Sequence, residues 1–194
     1  MWRQFDPAFR MVLFFTVLTG LVYPGLVTAL GQALFRRQAN GSLVEVNGQI
    51  VGSSLIGQSF TKPEYFHPRP SAAGDNGYAA SSSSASNYGS TNQKLIARVK
   101  ASIEQFRKEN PDYRGPIPAD LVTASASGLD PDISLASAEA QAARIAKARG
   151  VSLDQVLQAI RENAQGRALG FLGEPRVNVL ALNLALDRNV PLRR

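Results

Sequence analysis

One N-terminal transmembrane helix followed by a single α+β extramembrane domain is the architecture this sequence predicts, on three observations. Met11 to Phe35 runs for 25 residues without a charge, closed by Arg10 on one side and Arg36-Arg37 on the other. The chain beyond it, residues 36–194, has an ordinary soluble composition, with 19 basic and 14 acidic residues once Arg3, Arg10 and Asp6 are taken from the totals of 21 and 15. That part also mixes short strand-like apolar runs with segments of helical period. A length of 194 residues suits one modest folded domain plus an appendage.

Residues 1–10 form a short tail ahead of the span, which covers 11–35. At about 1.5 Å per residue the uncharged stretch reaches roughly 37 Å, enough for a hydrocarbon core of about 30 Å with some tilt. A cleaved signal peptide is the competing reading, with Val27-Thr28-Ala29 as its small-residue site. The run, however, is far longer than a typical signal core, and arginines close it as a membrane stop would, so an uncleaved anchor is expected. Pro24 removes a helical hydrogen bond and frees the Gly20 carbonyl, which predicts a kink. Gly20, Pro24 and Gly25, with Ala29 and Ala33 continuing the stripe of small residues, suit packing against partner helices. Positive charge is almost balanced across the span, so orientation is not readable from it.

After the span, Leu43–Val46, Asn47-Gly48 and Gln49–Val51 read as a β-hairpin on a type I′ turn. Tyr65-Phe66-His67-Pro68-Arg69-Pro70 leads into a Gly/Ser-rich loop over about 71–92. Arg69, stiffened by a proline on each side, is a candidate anion contact or a structural salt bridge. His67 fits local hydrogen bonding better than catalysis. Leu95, Val99, Ile103 and Phe106 mark the core face of a helix over 92–108 that Asn110-Pro111 stops. Leu121–Ala124 is a strand or a helical turn. Asp130 and Asp132, flanking Pro131, fit a turn and a helix start better than an acid pair. Ser134–Arg149 is an Ala-rich helix ended by Gly150, and Ser152 opens another with a capping-box pattern. For Val177–Leu186 the alternating leucines argue strand while the Leu/Ala composition argues helix.

The chemistry of many enzyme classes has no residues to stand on. There is no cysteine and one histidine, which removes thiolate metal sites, cysteine nucleophiles and most imidazole metal centres, so no metal is expected. The Walker phosphate loop, the Rossmann glycine pattern and the G-x-S-x-G elbow are all missing. A net charge of +6 is scattered, without an aromatic-interleaved basic stripe, and nucleic acid is not an expected partner.

Taken in order, a set of short motifs resembles one family over almost the whole chain. They are Tyr23-Pro24, Gln38–Ser42, Gly52-Ser53, Leu55–Gln58, Tyr65–His67 with Arg69–Ala72, Pro118–Thr123, Ser125–Asp130, Gln141 with Arg144, Ala146–Arg149, Gly173, Val177–Leu180 and Leu182–Asp187. This order resembles the C subunit of the bacterial high-affinity potassium-transporting P-type ATPase, the Kdp complex. Ser81–Ser84 departs from it, where the family usually carries glycines. The resemblance implies a single-pass inner-membrane protein with a cytoplasmic tail and a soluble periplasmic domain over 36–194. Its partners would be a channel-like potassium subunit and the phosphorylated pump subunit. The implied role is a non-catalytic accessory subunit, needed for assembly and acting as a catalytic chaperone that raises the pump's affinity for ATP, with no tightly bound cofactor. Gln141 is among the positions the resemblance suggests for nucleotide contact. A domain outside the membrane keeps cytoplasmic ATP from Gln141, so such an effect would have to be a coupling through the membrane subunits. Two readings from other classes stand beside it: a membrane-tethered periplasmic binding module using Arg69 and the Ser/Asn loop, and a tethered hydrolase using His67.

Overall fold

The computed structural model describes residues 2–189. They divide into two compact units, one running through Val44 and one beginning at Glu45. In the first unit, α1 (Trp2–Val17), a π-helical turn (Leu18–Val22) and α2 (Tyr23–Leu34) follow without a break. Of this helix, Arg3–Leu34 is long and apolar enough to cross a membrane. The distortion expected at Pro24 takes the form of the π turn just before it. Pro24 has no N–H to offer and its ring presses on the carbonyl four residues back. Widening the preceding turn relieves both, and the Tyr23 N–H accordingly bonds to the Leu18 carbonyl, five residues back. The Thr19 hydroxyl donates to the Phe15 carbonyl at 2.6 Å, which supplies a bond where the ladder changes register. The helix also extends beyond its expected N-terminal limit. Residues 2–10 are helical, carrying an Asp6–Arg10 ion pair at 3.0 Å and stacked Phe5 and Phe9 rings. A short α3 (Arg36–Ala39) follows the span.

Strands β1 (Leu43–Val46) and β2 (Gln49–Ser53) form the expected hairpin, with Asn47 and Gly48 at φ of 52° and 77°, the signs a type I′ turn requires. No helix or strand then occurs before α4 (Gln93–Glu109), whose N-terminal Lys94 N–H is capped by the Asn92 side chain at 2.8 Å. Only Phe106 of the α4 stripe is fully buried; Leu95, Val99 and Ile103 are half-buried, so this face is less of a core than its period implies. A 3₁₀ turn over Ala119–Leu121 makes the following run a helical turn rather than a strand.

The compact part of the domain is built from β3 (Asp132–Ser134), α5 (Leu135–Arg149), α6 (Leu153–Asn163), β4 (Ala164–Gln165), β5 (Arg176–Asn178) and α7 (Val179–Asn189). The three strands form an antiparallel sheet in the order β3-β5-β4, with Val177 opposite both Ile133 and Ala164. Ile133, Ala138, Ala142, Ile145, Val156, Ile160, Val177, Leu182 and Leu186 pack into one core with Phe66. Alanines on the inner face of α5 allow close helix packing, since they add no bulk between the backbones.

The caps follow the sequence closely. The Ser134 hydroxyl accepts the Ser137 N–H at 3.1 Å, Gly150 takes the left-handed conformation at φ 67°, and Ser152 with Gln155 completes the capping box. The ambiguous Val177–Leu186 stretch is both alternatives in turn. Asn178 closes the strand and its side chain accepts the Ala181 N–H at 3.0 Å, which starts α7. Asp130 makes the expected turn, its carboxylate accepting the Asp132 N–H at 3.1 Å, whereas Asp132 lies in a strand and the helix is started by Ser134.

Candidate functional site

Phe66 and His67 are the best-held residues of the irregular stretch, and they are held by side chains. The Phe66 N–H donates to Asn183 Oδ1 at 2.8 Å and its carbonyl accepts from Asn183 Nδ2 at 3.1 Å. The His67 N–H donates to Gln141 Oε1 at 2.8 Å and its carbonyl accepts from Gln141 Nε2 at 3.1 Å. Two buried carboxamides thus take the place of a neighbouring strand, pairing both backbone groups of two successive residues. Phe66 is driven into the core by this, fully buried against α5, α6 and α7.

Around the clamp lies a polar network. Gln141 is 1% exposed, and its carbonyl also accepts from Arg144 Nη2 at 2.8 Å while its amide reaches the Ser137 carbonyl at 3.3 Å. Arg144 further donates to the Pro63 and Tyr65 carbonyls and to Asn110 Oδ1. Burial pulls its guanidinium down to about 10. The Arg149 side chain is wholly buried; it pairs with Asp187 at 2.8 Å, donates to the Glu64 carbonyl at 2.8 Å and lies over the Tyr65 ring. Tyr65 donates its hydroxyl to Asp187 at 3.0 Å, and its pKa is raised, by burial first and by that carboxylate second.

The His67 ring stands between two oxygen acceptors, Glu109 Oε2 at 3.1 Å from Nδ1 and the Lys62 carbonyl at 3.1 Å from Nε2. A neutral imidazole has one N–H for these two positions. Its pKa is nevertheless lowered, because burial and the positive Arg144 outweigh the two acceptors. His67, Arg69, Ser71, Tyr78, Glu109 and Gln141 line a cleft of about 260 Å³. Arg69 forms a salt bridge with Asp130 at 2.7 Å, its backbone carbonyl accepts the Tyr78 hydroxyl, and its Nε is buried without a hydrogen-bond partner among the described residues.

The Gly/Ser-rich stretch is irregular as expected, yet it is tied down. Ser71 Oγ donates to the Gly128 carbonyl at 2.6 Å, Ser84 Oγ to Ala72 at 2.7 Å and Ser83 Oγ to Ser127 at 2.9 Å. Gly128, at φ +67°, lets two of its segments meet, since a Cβ there would stand 2.7 Å from the Ser84 carbonyl oxygen and 2.8 Å from the Ala73 nitrogen.

The structure therefore brings Arg69 and Gln141 to one cleft with His67. Gly20, Pro24 and Gly25 lie in the other unit, exposed along the spanning helix, and among the described residues nothing beyond the helix's own backbone stands within 4 Å of a Cβ placed on Gly20 or Gly25. Sequence reasoning gave no role to Asn183, Glu109 or Asp187, each of which holds a partner far away in the chain. Asp120, whose carboxylate accepts the Ser134 N–H at 2.8 Å and the Ser137 hydroxyl at 2.5 Å beside the α5 N-terminus, was likewise invisible as a site residue. Among the described residues no group of three or more His, Asp and Glu is gathered to hold a metal.

The features so far define a class: among the described residues, one N-terminal helix long and apolar enough to cross a membrane, followed by an α+β domain organised around a buried polar clamp. Similarity narrows it. The family model "KdpC: K+-transporting ATPase, c chain" matches residues 5–188. The potassium-transporting ATPase KdpC subunit of Myxococcus xanthus is 57% identical over 189 residues, covering 97% of this chain and 89% of the relative. That of Methylococcus capsulatus is 54% identical over 187 residues, covering 96% and 98%, and that of Rhodospirillum rubrum 55% over 192 residues, covering 99% of each. The chain belongs to this family of c chains of the potassium-transporting ATPase, as its motifs led us to expect.

Proposed function

We propose that this chain is the non-catalytic accessory subunit of an ATP-driven potassium uptake pump in the bacterial inner membrane, its domain on the periplasmic side. It assembles there with a channel-like subunit and a phosphorylated pump subunit. The spanning helix packs on a partner helix through Gly20, Pro24 and Gly25. The effect of such a subunit on ATP affinity is transmitted through the membrane subunits rather than by nucleotide contact.

The observation that carries this reading is the state of Gln141. Both ends of its carboxamide are already engaged, with His67, Arg144 and Ser137, and it is 1% exposed. A nucleotide would have to displace the clamp to reach it. Gln141 is better understood as a positioning residue that fixes the Phe66–His67 stretch and the cleft beside it. His67, in turn, is occupied by Glu109 and the Lys62 carbonyl rather than paired with a serine as a general base.

The test is reconstitution of the membrane partners with and without this chain. Potassium-stimulated ATP hydrolysis should fall, and the apparent ATP affinity with it, when the chain is omitted. Unchanged potassium uptake without the chain would favour the tethered binding module or hydrolase instead.

A further inference from the structure

Between β4 and β5 the chain makes a tight turn that ends in bare hydrophobic residues. Leu169 is 83% exposed, Phe171 69% and Leu172 49%. The turn is rigidly closed: Ala168 and Leu172 exchange backbone hydrogen bonds, each 2.9 Å, and Gly170 and Gly173 take positive φ. Leu169 itself has φ 54°, a left-handed conformation that leucine adopts at a cost and glycine or asparagine would take freely. A scattered exposed leucine needs no explanation, but three large apolar side chains on one five-residue tip, one of them in a strained conformation, mark a contact surface.

We propose that this tip, Ala168–Leu172, inserts into the surface of the lipid bilayer, with Leu169, Phe171 and Leu172 among the outer acyl carbons and the charged stem at headgroup depth. Three features choose lipid over a protein occupant. The first is charge. Arg167 pairs with Glu174 at 2.7 Å across the stem of the turn, and just behind it Arg176 of β5 pairs with Asp132 of the neighbouring β3 at 2.8 Å. A belt of paired opposite charges is complementary to a zwitterionic headgroup layer, which offers both signs at one depth. The second is spacing. Arg167 opens the turn, its carbonyl accepting the Gly170 N–H at 3.1 Å, so a charge stands at the base of the apolar tip, and a headgroup layer roughly 5–7 Å thick lies next to the acyl carbons in the same way. The third is area. Three side chains are far fewer than the roughly 20–30 residues a side that a stable complex in solution uses. A tip carried by a chain with its own membrane span, which ends about ten residues before the domain begins, is held near the bilayer at high effective concentration. It therefore needs little area of its own. The inference rests on the span and the turn, and stands whatever the role of the subunit in the pump.

The chain has no cysteine, so a single fluorophore can be placed at will. The full chain is reconstituted in phosphatidylcholine liposomes with a bimane on Leu169→Cys, and separately on Ala101→Cys, an exposed position of α4. Quenchers carried on lipid should reduce the signal at 169 several-fold more than at 101, while aqueous iodide should do the reverse. Adding Phe171→Ser and Leu172→Ser, both at exposed positions, should abolish the lipid quenching with the circular dichroism unchanged. Equal iodide quenching at the two positions overturns the proposal. So does a label that iodide reaches in the lone chain but that is shielded from both quenchers in the complete transporter, since the tip would then dock on another subunit.

Discussion

At the scale of single residues, the clamp on Phe66 and His67 is the feature with the largest expected consequences. Truncating Gln141 strips a buried N–H and a buried carbonyl of their partners, and each such loss typically costs about 1–3 kcal/mol. Gln141→Ala should therefore lower the stability of the folded domain by about 3 kcal/mol, read from denaturant unfolding of the full chain in detergent, and Asn183→Ala should do the same. A loss below about 1 kcal/mol in both variants would show that water replaces the carboxamides and that the clamp holds little. His67 gives a pH signature of definite sign. Its pKa is lowered in the folded domain, so between that value and the ordinary 6.5 the unfolded chain binds more protons. Stability is then complete above about 6.5 and declines as pH falls below it. His67→Gln should flatten this decline between pH 5 and 6.5, measured as unfolding midpoint against pH. The same slope in the variant would assign it to other groups. None of this geometry was legible in the sequence. His67 and Gln141 are 74 residues apart, Phe66 and Asn183 117, and no periodicity links a loop backbone to a carboxamide on a distant helix.

At the scale of elements, legibility followed the reach of the signal. Helix ends are encoded within four residues, and the Gly150 stop and the Ser152 capping box appear where the residues announced them, while Asn92 and Ser134, read as first helical residues, are the N-caps. The Asn-Gly turn is equally local. Val177–Leu186 failed as a single element because two periods share it, and Asn178 both ends the one and caps the other. β4 was missed because two residues carry no period at all. In the spanning helix, Pro24 announced a distortion, but the π turn that absorbs it depends on how the whole backbone shares the change. That turn bears on the packing surface. Since nothing among the described residues, the helix's own backbone aside, stands within 4 Å of a Cβ on Gly20, the expected effect of Gly20→Leu is on contact with a neighbouring helix. We expect the variant to insert in the membrane normally and to lower the yield of detergent-purified assembled complex several-fold. Wild-type yield would place this face toward lipid.

At the scale of the whole molecule, the composition of the chain and its folded network make the same argument about nucleotide. The residues that cradle phosphate in the common ATP sites, a glycine-rich loop with its lysine, do not occur in the sequence. In the folded domain, Arg144 beside Gln141 is committed to the Pro63 and Tyr65 carbonyls and the Asn110 side chain, and Arg69 of the same cleft is paired with Asp130. What remains for ATP is the diffuse attraction of a chain with net charge +6, which salt screens. The full chain in detergent should hydrolyse no ATP, and its binding of a fluorescent ATP analogue should be weak and should fade between about 0.05 and 0.5 M salt. Gln141→Ala should leave that residual binding unchanged under conditions where the variant is still folded by circular dichroism. In the assembled pump the same substitution should act differently, lowering the yield or thermal stability of the complex together with any loss of ATP affinity, because a positioning residue fails through the structure it supports. Saturable, salt-resistant binding to the lone chain that Gln141→Ala removes without a change in stability would reverse this argument. It would make the carboxamide a nucleotide contact and require the clamp to open in the bound state.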